Sequence, residues 1–331
     1  MPAYISMFIA VLLWSLYPLV TSEALKTMQS WDLIIAVLAA AYIGALLITV
    51  PYLKHKGLLG KAIHIQRNLP LRAYIMLMLS GLSGVLCNSF FFWALDLAHK
   101  GGVSLLYEAW PVIAVIASPI LMRKAFKEVS FKEFSIGLIA MLGVGIIIFS
   151  DENISFEFLS SNLNQSPDYS VIGGYILAFA GGYMVAINAV SQAAYSEYFS
   201  ELKNDFGATL INQVMGRGVS MIFAFLLYLY FSDDTAPYIV DWPPVIFIGF
   251  GILILGTSFY TFGLLKSEKP TIHILYYFVP LLAVIWLWLA GETSINFGLI
   301  IGGAIILGSN IYLAYIARDK KIPLAENTSS L

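Results

Sequence analysis

Glu108 is the residue most able to do chemistry in this chain. It stands in SLLYEAWPV, inside a long apolar run. If that run crosses a bilayer, a carboxylate there costs about 2.5–3.5 kcal/mol and must face a protein interior or an aqueous cavity. In such a place it can hold a cationic group or exchange a proton. Alternatively it is a structural carboxylate, protonated or hydrogen-bonded to a neighbouring helix. Helical spacing puts Ser104, Glu108, Pro111 and Ser118 near one face. Arg217, in NQVMGRGVSMIF, is the second ionisable group in an apolar run. A guanidinium can grip a substrate carboxylate with two parallel bonds, pair with an acidic side chain such as Glu108, or snorkel to the surface.

Aromatic and amide side chains surround these two in the sequence. Trp14, Tyr107, Trp110, Tyr183, Tyr276 and Tyr277 are candidates for stacking on an aromatic or cationic solute. Facing lipid, forming interface belts or filling the packing are the plainer uses of such rings. Asn88, with Asn188, Gln192, Asn212 and Gln213, either lines a cavity or bonds helix to helix. The glycine pairs at 173–174 and 181–182, and Gly298 with Gly302, read as close helix packing. Other chemistries find no support. GLLGKA at 57–62 lacks phosphate-loop spacing. The histidines at 55, 64, 99 and 273 show no metal-ligand spacing, and no serine sits in a nucleophile elbow. The expectation is therefore a protein that is not an enzyme, with no cofactor and no metal.

The elements that must position these residues follow from composition. Hydrophobic residues make up 59% of the 331, and charged residues 11%, against about 25% in a soluble domain. Net charge is −2, which points to no nucleic-acid partner. The single cysteine, Cys87, excludes an internal disulfide. The first twenty residues lack a basic n-region and read as a spanning helix, not a cleaved signal. A span needs about 20 apolar residues. Ten segments qualify, at about 4–23, 32–53, 73–96, 101–122, 133–149, 170–196, 207–231, 243–265, 270–290 and 295–316. With the N-terminus inside, the inner loops and tail carry 15 Lys and Arg, and the outer side carries only Lys26 and Lys100. That bias predicts a multi-pass cell (inner) membrane protein with both termini cytoplasmic. The basic stretch 54–72 either lies on the inner headgroups or forms a solvated loop.

The chain also repeats itself. A shift of 169 residues lays 89–115 on 258–284 with nine identities in 27 positions, among them Tyr107 on Tyr276 and Pro111 on Pro280. It also brings Trp14 onto Tyr183, Ser104 onto His273 and Glu108 onto Tyr277. Five spans per half invert the second half. The expected fold is thus all-α and integral to the membrane, with ten transmembrane helices in two inverted five-helix repeats and a substrate site between them. The divisions are 4–149 for the first repeat, 150–169 for an external acidic linker, 170–316 for the second repeat and 317–331 for a cytoplasmic tail. The face bearing Glu108 and Pro111 would oppose one bearing His273, Tyr277 and Pro280 across a central cavity. Pro111 and Pro280 would act as hinges, since each removes a helical hydrogen bond, although proline is also simply commoner in spans.

Three stretches carry a family resemblance: LLWSLYPLV, SFFFWALDLAHKGGVSLLYEAWPVIAVIASPIL and YYFVPLLAVIWLWLAGE. They make the chain resemble the drug/metabolite transporter superfamily in its ten-helix form with two EamA-type repeats. YEAWPVIAV and SPDYSVIGGYILAFAGGY are similar to the bacterial aromatic amino acid exporter branch. The resemblance implies alternating access without ATP. Joined to the residues above, it gives a secondary exporter of a small amphipathic metabolite, foremost an amino acid, with the bilayer as its surroundings and protons as a coupling ion. A carrier of organic cations is the alternative within the class. A lipid-modifying membrane enzyme and a non-transporting sensor or scaffold are the alternatives outside it.

Overall fold

The computed structural model describes residues 2–110, 131–150, 169–231, 240–267 and 270–319. These residues are helical throughout, without a strand among them. Six helices are long and apolar enough to cross a bilayer: Ala3–Leu25, Ser30–His55, Leu71–Leu97, Ser170–Leu202, Asp205–Tyr230 and Trp242–Lys266. Shorter apolar helices at Ser135–Phe149, Leu275–Leu289 and Phe297–Tyr312 occupy the expected fifth, ninth and tenth spans. The fourth span begins as Lys100–Tyr107; its expected remainder, with Pro111 and Ser118, lies outside the described residues. Most of the linker 150–169 and of the tail 317–331 also lies outside them. The chain is a multi-pass, all-α integral membrane protein. Large apolar side chains such as Phe8, Leu47, Leu142, Leu229 and Phe297 are more than half exposed on the helix surfaces. Lipid accepts such a surface and water does not.

The helix pairings have an internal symmetry. Span 3 packs on span 6, and span 1 packs on span 8. Span 2 meets span 8 as span 7 meets span 3, and span 4 meets span 6 as span 9 meets span 1. Spans 2 and 7, 4 and 9, and 5 and 10 pair directly. Exchanging span n for span n+5 leaves this set of pairings unchanged, which is the pattern of an inverted five-plus-five repeat. Small residues make the close approaches possible. A Cβ on Gly249 of span 8 would lie 2.6 Å from the Val37 carbonyl oxygen of span 2. One on Gly302 would lie 2.5 Å from the Gly143 oxygen, and Gly174 sits against Leu97 and Ala98. The packing role read from these glycine runs therefore holds for Gly174, Gly298 and Gly302, while Gly173 faces open space.

Among the described residues, spans 1, 8 and 9 carry interruptions that border the central cavity. Span 1 is interrupted at Leu16, between Pro2–Ser15 and Tyr17–Leu25. Pro18 has no N–H to continue the ladder. Trp286 donates to Ser15 Oγ at 3.0 Å and ties the break to span 9. Span 8 widens to a π-helix over Phe247–Gly256, a geometry concentrated at functional sites. Span 9 opens with a 3-10 stretch, Pro270–Phe278, before the α-helix Val279–Leu289. Pro280 sits in the first turn of that helix, where the missing N–H costs little. The distortion expected at Pro280 is thus a change of helix type just ahead of it and not a mid-helix kink.

The basic stretch 54–72 forms a short helix, Leu59–Arg67. Its Ala62 is buried in a cluster with Leu53, Leu77, Tyr195 and Phe199. Gln66 Oε1 accepts from Tyr195 at 2.6 Å, and Lys61 donates to the Glu201 carbonyl. The stretch is a docked amphipathic element, more ordered than a solvated loop.

Candidate functional site

A cavity of about 200 Å³ lies where spans 1, 3, 4, 6, 7, 8 and 9 converge. Eight of the residues singled out from the sequence line it: Trp14, Asn88, Tyr107, Glu108, Trp110, Asn188, Arg217 and Tyr276. Span 1 supplies Trp14 and Tyr17 from either side of its break, so the interruption at Leu16 is what aims both rings inward. Glu108 stands at the end of the helix Lys100–Tyr107, and its backbone N–H still bonds to the Ser104 carbonyl at 3.1 Å.

The carboxylate is held by one specific partner. The Tyr276 hydroxyl donates to Glu108 Oε2 at 2.6 Å and accepts from Trp110 Nε1 at 2.7 Å. This relay joins the two halves through spans 4 and 9. The rings around it form an aromatic box. Trp14 lies 5.1 Å from Tyr260 and 5.3 Å from Tyr276, and Trp110 lies 5.9 Å from Tyr276. The second Glu108 oxygen has no hydrogen-bond partner among the described residues. It is available for a cation.

Arg217 reaches the same cavity from span 7. It makes no hydrogen bond or ion pair among the described residues, and none joins it to Glu108. Tyr17, Cys87 and Tyr107 share the cavity lining with it, and none of them ordinarily carries charge at neutral pH. A half-buried guanidinium without a counter-ion is poorly compensated. The cavity thus presents a carboxylate, a guanidinium without an ion pair among the described residues and a wall of rings. Amides complete it. Tyr17 donates its hydroxyl to Asn88 Oδ1, and Asn88 donates to the Gly84 carbonyl at 2.6 Å. Asn188 lines the cavity and begins a polar ladder along spans 6 and 7. Gln192 donates to Asn188 at 2.6 Å, and Asn212 donates to the Gln192 carbonyl at 3.3 Å.

The remaining candidates fall elsewhere. Tyr183 is half-buried in span 6 and absent from the lining. Tyr277 is half-buried with its ring 6.0 Å from that of Tyr276, and it too is outside the lining. The repeat placed Tyr277, not Tyr276, opposite Glu108. A 3-10 stretch turns three residues per turn instead of 3.6, so Pro270–Phe278 rotates its side chains relative to the α-helical span 4. His273 lies in that same stretch, with its side chain outside the described residues. Tyr17, Cys87, Val185, Ile252, Leu253, Thr257 and Tyr260 also line the cavity. The two tyrosines carried the same weak signal as dozens of other rings. Thr257 and the aliphatic ones carried none.

A second polar cluster joins the ends of spans 1, 4 and 9. Glu292 follows Gly291, whose φ of +74° makes the tight turn between spans 9 and 10. Glu292 accepts from Lys100 at the head of span 4, from Lys26 at 2.5 Å and from Ser22 at 3.1 Å. These cations hold its carboxyl down from the usual 4.5 to about 2. His99 and Thr293, 2.9 Å apart, add a polar contact between the same segments. The cluster links the first half to the second at the end opposite the polar ladder.

Comparison with known proteins fits this architecture. Residues 1–149 match the EamA-like transporter family, which bears out the resemblance read from the sequence over the first half. The aromatic amino acid exporter YddG of Ancylobacter novellus is 22% identical over 241 residues, covering 72% of this chain and 75% of that protein. A solved crystal structure superposes over 96% of this chain and 99% of its own, with a TM-score of 0.58 and 19% identity, a likeness of fold.

Proposed function

We propose, from the EamA relationship of residues 1–149, that this protein is a secondary transporter exporting a zwitterionic amino acid, foremost an aromatic one, by alternating access. One observation carries the reading: Glu108 and Arg217, which has no ion pair among the described residues, share a single cavity walled by Trp14, Tyr107, Trp110, Tyr260 and Tyr276. Glu108 binds the substrate ammonium through its free oxygen, Arg217 binds the carboxylate, and the rings stack on the side chain. A proton taken up by Glu108 as the ammonium leaves resets the empty carrier. The name of the Ancylobacter relative supports the aromatic preference. The unpaired guanidinium weighs against the organic-cation alternative, since a cation gains nothing from it. In this reading the two repeats, 4–149 and 170–316, rock about the cavity with both termini cytoplasmic in the inner membrane. The Glu292 cluster closes the outer end, and the ladder from Asn188 to Asn212 wets the inner path.

The test is a thermal-shift series on purified protein against aromatic amino acids, aliphatic amino acids, amines and sugars. Aromatic amino acids should raise the melting temperature in proportion to the logarithm of concentration. A shift from amines alone would select the cation carrier. No shift from any of them, together with no counterflow in proteoliposomes, would end the transporter reading.

A further inference from the structure

The membrane-facing surface carries a groove unrelated to the central cavity. One section, of about 290 Å³, lies between the end of span 2, the helix Leu59–Arg67 and span 7. A second, of about 220 Å³, continues along the seam of spans 2 and 7. They share Val214 and Met215, so they adjoin along span 7. Its wall on span 7 is Ile211, Val214, Met215, Gly218 and Ile222, spaced to fall on one helical face. Ile211 to Ile222 is eleven residues, or about 16 Å at 1.5 Å rise. One leaflet of a bilayer is about 15 Å thick, half the ~30 Å hydrocarbon core. Gly218 lets the Tyr42 ring form the floor, for an added Cβ would sit 3.0 Å from it.

Chemistry at the mouth differs from the rest. Arg67 lines the groove there, exposed, beside Gln66 and the half-exposed Ile63. The flanking stretch 54–72 holds Lys54, Lys56, Lys61, Arg67 and Arg72, with no Asp or Glu. We propose that this groove is a binding site for one anionic phospholipid, with an acyl chain along span 7 and its phosphate at Arg67. Length matches the chain, the apolar walls match its chemistry, and the mouth carries the charge that a neutral lipid would not need. A juxtamembrane cation contributes about 1 kcal/mol to anionic-lipid binding, or about fivefold in affinity.

Purified protein in detergent is titrated with phosphatidylglycerol, phosphatidylcholine and glycerol 3-phosphate while melting temperature is read. Phosphatidylglycerol should stabilise at about fivefold lower concentration than phosphatidylcholine, and glycerol 3-phosphate should do nothing. Arg67→Gln should erase the difference between the two lipids, whereas Lys56→Gln, which is outside the lining, should keep it. Val50→Trp should remove stabilisation by both lipids, because Val50 lines the groove and is 41% exposed. If its lipid-free melting temperature differs from that of the parent, Ile222→Trp, at 57% exposure, serves in its place. Equal response to both lipids in the parent, a retained preference in Arg67→Gln, or a full shift from glycerol 3-phosphate would each overturn the site.

Discussion

Arg217→Gln and Glu108→Gln make opposite predictions for trimmed substrates, and together they test whether the cavity reads a zwitterion. Glutamine keeps the approximate reach in each case and removes the charge. A hydrogen bond to a charged group is worth about 1.5–3 kcal/mol net, or about 10- to 150-fold in dissociation constant. The parent should therefore bind an aromatic amino acid more tightly, by that factor, than either the corresponding amine or the corresponding deaminated acid. Arg217→Gln should bind the amino acid and the amine within about threefold of each other, while still rejecting the deaminated acid. Glu108→Gln should show the reverse. Stability sharpens the test. Arg217 has no ion pair among the described residues, so replacing it relieves an uncompensated charge. The ligand-free melting temperature of Arg217→Gln should equal or exceed that of the parent. Glu108→Gln should lower it slightly, because the bond from Tyr276 at 2.6 Å becomes one to a neutral acceptor. The assay is ligand-dependent thermal shift with the three compounds, repeated as counterflow in proteoliposomes. If Arg217→Gln melts several degrees lower and still prefers the amino acid to the amine, Arg217 is structural and the reasoning fails.

Further outcomes are expected. Glu292→Gln should leave Lys100 and Lys26 facing each other without their shared anion, costing about 1 kcal/mol after screening and about 2–4 °C in melting temperature. The Glu292 carboxyl is depressed to about 2, so its contribution is complete above about pH 4.5 and lost as pH falls through about 2. A parent protein with flat stability between pH 5 and 2, matching the variant, would contradict this. Gly249→Ala should destabilise by about 1–3 kcal/mol, since its methyl would meet the Val37 carbonyl oxygen at 2.6 Å; an unchanged melting temperature would count against the span 2–span 8 packing. On a Cys87→Ala background, Ser160→Cys should react with an impermeant thiol reagent added outside whole cells and Gly60→Cys should not, the opposite result reversing the orientation.

How much was legible beforehand differs between fold and site. Composition and run length gave the spans because a bilayer imposes a simple rule, about 20 apolar residues at 1.5 Å each. Ser30–His55 and Leu71–Leu97 extend by two residues at most past the segments read as 32–53 and 73–96. The 169-residue self-similarity likewise anticipated the exchange symmetry of the helix pairings. Charge in lipid is rare and expensive, so Glu108 and Arg217 stood out from sequence alone, and both line the cavity.

The rest required tertiary structure. Nothing in the order of residues says whether two charges in different spans meet. Only the packed helices show Glu108 bonded to Tyr276 and Arg217 left without a partner among the described residues. The repeat placed Tyr277 on the face opposite Glu108 because it assumed the same helix type in both halves. The 3-10 stretch at Pro270–Phe278 put Tyr276 there instead. Tyr260 and Thr257 reach the cavity from just beyond the π-helix in span 8, a distortion that apolar periodicity does not encode. Hydropathy is a property of each segment in its solvent, so the sequence by itself determined that this chain crosses a membrane and where. Rotation about each helix axis is set by the neighbours a segment packs against, so the side chains that share the cavity were decided only by the assembled bundle.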